Sequence, residues 1–182
     1  MKKIGYPDYE KHLKLHEIFR METLLVFSFF YLAEKRLRHK WIYYILVFPT
    51  TFLHELSHFL IAFITGGKPF LPSLIPKRRR GAVIMGEVKF YATPLSAFPS
   101  ALAPLLLIPL AFYFLSSSIP FPLKETLSYY ALRGSLPSLQ DIKVAFSHPF
   151  GALLWILLLF FSAGFLYEIV SVRTPGLHLF RR

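Results

Sequence analysis

Three long apolar stretches, separated by polar and basic segments, dominate the hydrophobic pattern of the chain. Each has about the 20 residues that a helix needs to cross the hydrocarbon core of a membrane. We therefore predict transmembrane helices over residues 41–65, 95–119 and 150–172. The first stretch opens with Trp41 and Tyr43, aromatic residues typical of a membrane–water interface. The fold class that this pattern predicts is an all-α polytopic membrane protein.

The segments between these stretches are predicted to lie at the membrane surface. Residues 21–33 are apolar but short, which favours an interfacial or re-entrant helix, with a tilted extra pass as the alternative. Residues 81–94 hold two β-prone pieces around Met85-Gly86-Glu87 and predict a membrane-associated β-hairpin. Because open strand edges cannot face hydrocarbon, this hairpin must lie at the interface or line a cavity. A further helix is predicted to begin near residue 138.

Length and composition indicate one membrane-embedded unit. We predict a polar, basic arm over residues 1–20 and a single domain over residues 21–182. A hydrophobic content of 54% is high for a soluble domain. The net charge of +11 lies mostly outside the apolar stretches, which indicates contact with anionic lipid headgroups. No nucleic-acid-reading motif accompanies it, so we expect no nucleic-acid partner. The expected location is a cell membrane, as a multi-pass protein of a prokaryotic inner or plasma membrane, with its orientation left open.

The strongest chemical signal is the run His54-Glu55-Leu56-Ser57-His58 inside the first apolar stretch. Two histidines four residues apart share one face of a helix, so His54 and His58 can bind a single metal ion. Glu55 lies at the flank of that face, where a carboxylate can act as general base toward a metal-bound water. Ionisable groups in an apolar stretch are costly, which favours a functional role. The alternative is a buried polar cluster that only connects helices.

Two histidines do not complete a catalytic zinc site, which uses three protein ligands and an open position. The chain has no cysteine, so the third ligand must be a histidine or a carboxylate. Asp141, between two apolar segments, is the best candidate, and His148 is the second choice. Ser138 and Asp141 also form the pattern of a capping box, in which Asp141 would stabilise a helix N-terminus without any chemistry. The other carboxylates considered are less well placed: Glu87, Glu125 and Glu168.

The histidine motif in a membrane helix, followed by Ala62 and the turn Gly66-Gly67, resembles the site-2 protease family of intramembrane zinc metalloproteases. The later run Pro137-Ser138-x-x-Asp141 is similar to the third-ligand region of divergent members. The usual Leu-Asp-Gly signature of the family is replaced here by Gln140-Asp141-Ile142, and no PDZ insertion is present. The resemblance is therefore to a minimal, divergent member.

This resemblance implies one zinc ion held by His54, His58 and Asp141, with Glu55 as general base. It also implies an endopeptidase that cleaves transmembrane or membrane-proximal segments of a protein substrate. The edge of the predicted hairpin, Val83–Phe90, could pair with an unwound substrate strand. A membrane-embedded zinc hydrolase of a lipid or small molecule, and a non-catalytic membrane metal-binding protein, are the alternatives. The substrate and the oligomeric state are not predicted.

Overall fold

A computed structural model describes residues 21–79, 82–84 and 86–173, so the predicted arm over residues 1–20 lies outside the described residues. The described part is mostly helical, which agrees with the predicted all-α class. In chain order the elements are α1 (Met21–Leu37), α2 (Ile42–Ile64), β1 (Lys77–Arg79), β2 (Ala82–Ile84), α3 (Ala97–Ala101), a 3-10 turn (Ala103–Leu106), α4 (Leu107–Ser116), α5 (Leu123–Gly134), α6 (Leu139–Ala145) and α7 (Pro149–Arg173).

Helix α2 is continuous through Pro49 and carries the histidine motif. One face of it is buried at helical spacing and the opposite face exposes phenylalanines such as Phe48 and Phe63. The helix ends where the two glycines predict a stop. Gly66 takes a positive φ of 75°, and the N–H of Gly67 donates to the Ala62 carbonyl at 2.7 Å, the pattern of a Schellman C-terminus.

The predicted span over residues 95–119 is not confirmed as one helix. The segment is divided into α3, the 3-10 turn and α4. The prolines explain the division, because a proline inside a helix lacks the N–H that would bond one turn back and its ring crowds that carbonyl. Pro104 lies in the 3-10 turn between the two helices. The break affects the candidate metal site, because the carbonyl of Ser100 in α3 cannot bond to an N–H four residues later, where Pro104 has none.

Small side chains bring the helices close together around two apolar clusters. One cluster joins α3, α6 and α7, and the other joins α4 to α5 with partly buried Leu53 of α2 packed against it. Eight alanines of the described core are nearly or fully buried, and such small residues permit close helix approach; they are Ala62, Ala97, Ala101, Ala103, Ala111, Ala131, Ala145 and Ala152. Gly134 serves the same purpose at the end of α5, where an added Cβ would stand 3.0 Å from the Thr50 carbonyl of α2.

Between α2 and α3 the chain forms a long, irregular antiparallel ribbon. Strands β1 and β2 pair in antiparallel register from Lys77 with Ile84 to Arg79 with Ala82, so the chain reverses direction between the two strands. Hydrogen bonds continue the pairing outward, from Ser73 with Glu87 to the Tyr91 N–H with the Gly67 carbonyl at 2.8 Å. The predicted hairpin over residues 81–94, with its turn near Met85-Gly86-Glu87, is therefore not confirmed. The polar run that starts at Lys77 forms one arm of the ribbon rather than a link before it.

Among the described residues, two helices are long and apolar enough to cross a membrane by length and composition: α2 and residues Pro149–Tyr167 of α7. The second of them exposes leucines and phenylalanines on all sides, as a helix surrounded by lipid does. Its attachment to the rest of the chain is at its first two turns. There Gly151 meets Pro94, and the Trp155 indole N–H donates to the Leu95 carbonyl at 2.8 Å. Helix α6, with its N-cap at Ser138, agrees with the predicted start near residue 138.

Candidate metal centre

The two histidines of α2 are oriented by backbone carbonyls from two other helices. Nδ1 of His54 lies 2.8 Å from the Gly134 carbonyl oxygen, and Nδ1 of His58 lies 2.7 Å from the Ser100 carbonyl oxygen. A carbonyl oxygen only accepts hydrogen bonds, so each Nδ1 must carry a proton. In the neutral imidazole the other nitrogen, Nε2, is then the atom with the free lone pair. Both rings are thereby held in the tautomer that a metal site needs.

These two carbonyls are available because helices end there. Gly134 is the last residue of α5, and its carbonyl is one of the four that a helix C-terminus leaves without an intrahelical partner. Ser100 is the penultimate residue of α3, and the residue four positions later is Pro104, which has no N–H to donate. Neither carbonyl was predicted from the sequence. The only signals were the proline four residues after Ser100 and the glycine before the Pro137 segment.

Asp141 approaches the histidine pair from the first turn of α6. Ser138 is the N-cap of that helix, its hydroxyl accepts from the Asp141 N–H at 3.2 Å, and its own N–H donates to Asp141 Oδ2 at 2.6 Å. Burial by itself would raise the pKa of Asp141, but contacts with His54 and His58 and the bond from Ser138 outweigh it and hold the pKa well below its usual range. The side chain is therefore an ionised carboxylate. The capping box and the position beside the histidines are both present.

The three side chains have the spacing of ligands around one ion. Nε2 of His54 and Nε2 of His58 are 3.2 Å apart, and the nearest Asp141 oxygens lie 3.7 and 3.5 Å from them. Ligands at the usual zinc distances in a tetrahedral site are about 3.3 Å from each other. The two histidine–carboxylate distances exceed the 2.7–3.2 Å range of ordinary N–H···O bonds. All the candidate ligand atoms lie within 4.8 Å of one another, so the group could hold a metal ion.

The electrostatics of this group also favour a cation. Two neutral imidazoles that present lone pairs to each other at 3.2 Å, beside an ionised carboxylate, repel one another unless positive charge lies between them. A proton on one ring would supply that charge in the metal-free protein, and a divalent cation would supply it more completely. The donor set of two imidazoles and one carboxylate suits zinc and other first-row transition metals better than calcium or magnesium.

Glu55 faces the same cavity as the candidate ligands. The cavity has a volume of about 680 Å³ and is lined by α2, by α6 and by the second arm of the ribbon. The Glu55 side chain is buried, at 8% exposure, and the backbone amide of Val88 lies beside its carboxylate. Gly86 packs directly against it, because an added Cβ would stand 2.7 Å from Glu55 Cγ. Glu55 therefore lies next to the metal candidate without belonging to the ligand group, and its role as general base stays a prediction.

The other residues considered as ligands lie elsewhere. Nε2 of His148 is hydrogen-bonded to the Ala92 carbonyl at 2.9 Å, where it helps to attach the start of α7. Glu87 lines the cavity but pairs through its backbone with Ser73. Glu125 is 2% exposed on α5, with Lys124 at 4.0 Å. Within the described residues none of these three joins the group formed by the histidines and Asp141. The side chain of Glu168 lies outside the described residues.

Comparison of the chain with protein-family models, with curated proteins and with solved structures gives no significant match. The functional argument therefore depends on the geometry of the site and on the sequence motif.

Proposed function

We propose that this chain is an intramembrane zinc metalloprotease that cleaves transmembrane or membrane-proximal segments of a protein substrate. The observation that carries the proposal is the convergence of two imidazole lone pairs and a carboxylate beside a buried glutamate. That convergence joins residues 54, 58 and 141, which no local structural requirement brings together. Ionisable groups in and beside an apolar helix cost free energy, and a functional metal site would explain why they are present there.

The membrane setting is part of the proposal. Helix α2, which carries three of the four site residues, is one of the two helices long and apolar enough to span. In our proposal α2 and α7 cross the membrane, and α3, the 3-10 turn and α4 form a broken third crossing whose irregular backbone lies against protein. Non-helical backbone is tolerated at membrane depth only in such protected positions. The site would then lie within a multi-pass protein of a cell membrane, reached by water through the cavity.

The chemistry follows from the residues around the cavity. A zinc ion held by His54, His58 and Asp141 would lower the pKa of a water molecule and polarise a substrate carbonyl. Glu55 is positioned to accept the proton of that water and to return it to the departing amide nitrogen. The carbonyls of Gly134 and Ser100 would keep both imidazoles oriented through this exchange, because each accepts a hydrogen bond from one Nδ1–H.

The second arm of the ribbon offers an edge to which an unwound substrate could bind. Alternate residues of an extended strand direct their N–H and C=O groups to opposite edges. Glu87, Lys89 and Tyr91 use theirs to pair with the first arm, so the groups of Val88 and Phe90 face the cavity. A substrate strand that pairs there would have its backbone beside Glu55, by the same mode as β-strand addition in peptide-binding domains. This narrows the predicted edge Val83–Phe90 to its last residues.

The experiment is a cleavage assay with purified protein in detergent and in liposomes, loaded with zinc, on a panel of transmembrane peptides. We expect cleavage by the wild type and at least a hundredfold loss in Glu55→Gln, with zinc still bound, because the ligands remain and the base is gone. Undiminished turnover in Glu55→Gln would show that Glu55 is not the base. Zinc content measured by elemental analysis on both proteins supplies the control.

A membrane-embedded zinc hydrolase of a lipid or small molecule is the second candidate, favoured by a cavity whose volume lies in the range of small-molecule sites. Phospholipid and small ester substrates, offered in the same assay, distinguish it from a protease. The variant pair Phe90→Pro and Phe90→Leu adds a further test. Only the proline removes the backbone N–H at the proposed edge, so a protease that uses this edge should lose peptide cleavage in Phe90→Pro alone. Equal activity of the two, with both folded and zinc-loaded, would exclude strand addition at this position.

A further inference from the structure

A second polar cavity shares no lining residue with the cavity of the metal candidate. Its volume is about 380 Å³, and it is formed by α1, by the turn before α2 and by the ends of α2 and α5. Six residues line it, and they are three cations, one carboxylate and two tyrosines: Lys35, Arg38, Arg133, Glu34, Tyr31 and Tyr43. The proposed proteolysis makes no use of this cavity.

Each oxygen of the single carboxylate in this cavity accepts one hydrogen bond. Glu34 is buried, at 6% exposure, the Tyr129 hydroxyl donates to its Oε1 at 3.0 Å, and the Arg133 Nε–H donates to its Oε2 at 3.3 Å. Burial and the neighbouring Glu34 raise the pKa of Tyr129, so its hydroxyl stays a donor. Glu34 therefore acts to position Arg133 rather than to neutralise the whole cavity.

The remaining donors converge on the open part of the cavity. Arg133 uses Nε for Glu34, which leaves the two terminal nitrogens of its guanidinium for another partner, and the side chain is half exposed. Lys35 and Arg38 add two exposed cations from the neighbouring turns. Tyr31 and Tyr43 place hydroxyl donors at the rim. Three cations against one paired carboxylate leave an excess of positive charge, and guanidinium groups bind the oxygens of phosphate with two parallel hydrogen bonds.

The position of the cavity indicates where its ligand comes from. It opens beside the start of α2, where Trp41, Tyr43 and Tyr44 form the kind of aromatic belt found at membrane–water interfaces. Phosphate groups of phospholipids lie at that level of a bilayer. We propose that this cavity binds the phosphate of an anionic phospholipid headgroup, with Arg133, Lys35 and Arg38 as its ligands.

The test compares two double variants of the full-length protein with the same loss of charge. Lys35→Gln/Arg38→Gln removes two cations that line the cavity, and Arg36→Gln/Lys40→Gln removes two exposed cations of the same basic segment that do not line it. Binding is measured by titrating the protein in neutral-detergent micelles with phosphatidic acid or phosphatidylglycerol, and by the protection that each lipid gives against thermal unfolding. A parallel titration uses inorganic phosphate.

We expect the cavity variant to lose at least about tenfold in apparent lipid affinity, as removal of two membrane-facing cations predicts, and the control variant to lose less than about threefold. Arg133→Gln should lower the affinity further in the same direction. An equal loss of lipid affinity in the two double variants would show that binding depends only on general surface charge, and it would overturn the proposal. Inorganic phosphate that protects the wild type as strongly as the lipids do would also overturn it, because the site would then take the free ion. A thermal unfolding transition without lipid like that of the wild type would show that each variant is folded.

Discussion

The two helices that could cross a membrane are held by the rest of the protein in opposite ways. In the most apolar stretch of each helix, 28% of α2 is buried against the rest of the protein, compared with 11% of α7. Helix α2 contacts α3, α4 and α5, and its two histidines donate hydrogen bonds to carbonyls of α3 and α5. Helix α7 is attached near Gly151 and Trp155 and exposes large side chains beyond that point. The two helices therefore place different requirements on their sequences. A residue of α2 must fit a particular neighbour, whereas most residues in the exposed part of α7 need only be apolar.

The largest expected effect is the loss of metal binding when Asp141 is changed. Asp141→Ala removes one of three candidate ligands, and even the loss of a supporting partner commonly costs 10–100-fold in metal affinity. We therefore expect zinc affinity to fall by at least about a hundredfold, measured by competition with a chromophoric chelator. Glu87→Ala is the matched control, because it removes a carboxylate that lines the same cavity outside the ligand group. Similar affinities for the two variants would mean that Asp141 is only a helix cap.

The next effect comes from Gly86, on the ribbon beside the site. In Gly86→Ala the new Cβ would stand 2.7 Å from Glu55 Cγ and 2.7 Å from Thr51 Cγ2, so the Glu55 side chain must shift. A displacement of about 1 Å at a catalytic group can cost about a hundredfold in rate. We expect peptide cleavage to fall by that order while zinc affinity stays unchanged. Gly164→Ala on α7, where nothing lies within 4 Å, serves as control and should leave both quantities unaltered.

A smaller effect is expected where α7 joins the body of the protein. An added Cβ at Gly151 would overlap the Pro94 carbonyl, so Gly151→Ala must separate the helix from the segment that supports it. Overpacking of this kind costs about 1–3 kcal/mol of unfolding free energy. Thermal unfolding in detergent measures it, and Gly164→Ala on the same helix should be neutral or slightly stabilising. A neutral Gly151→Ala would show that the attachment is looser than the structure has it.

The smallest effect is expected on the exposed length of α7. Leu158 is 52% exposed, whereas Leu107 of α4 is 5% exposed in the core. Leu158→Ala should change the unfolding free energy in detergent by less than about 0.5 kcal/mol, and Leu107→Ala should lower it by about 2 kcal/mol or more. A large cost at Leu158 would point to a protein partner on this helix in place of lipid.

Side chains carried most of what the sequence predicted about the site. The spacing of His54 and His58 placed both rings on one helix face, and the ligand count selected Asp141, which the structure brings to them. The two interpretations of Asp141, helix cap and ligand, are compatible, because the capping box is present and the same carboxylate lies beside the histidines. Its role as a ligand, and the identity of the metal, remain predictions.

What the sequence did not predict depends on the backbone. The carbonyls of Ser100 and Gly134 have no side-chain signature, and only Pro104 and the end of α5 make them available. Helix α5 itself, with its mixed polar and apolar sequence, gave no clear periodic signal. The pairing of the ribbon includes Lys77–Arg79, upstream of the predicted hairpin, and these basic residues have little intrinsic strand preference. These features depend on contacts between segments, which the local sequence pattern does not specify.

The bond from the Ser138 N–H to Asp141 Oδ2 has a consequence for metal selectivity. Because Asp141 Oδ2 accepts a hydrogen bond at the helix terminus, a metal ion would be bound mainly by Oδ1, as a monodentate ligand. A cation that prefers six to eight oxygen ligands would be poorly served by this group, whereas zinc would suit two imidazole nitrogens and one carboxylate oxygen. A serine that never touches the metal would thus help to decide which metal is accepted.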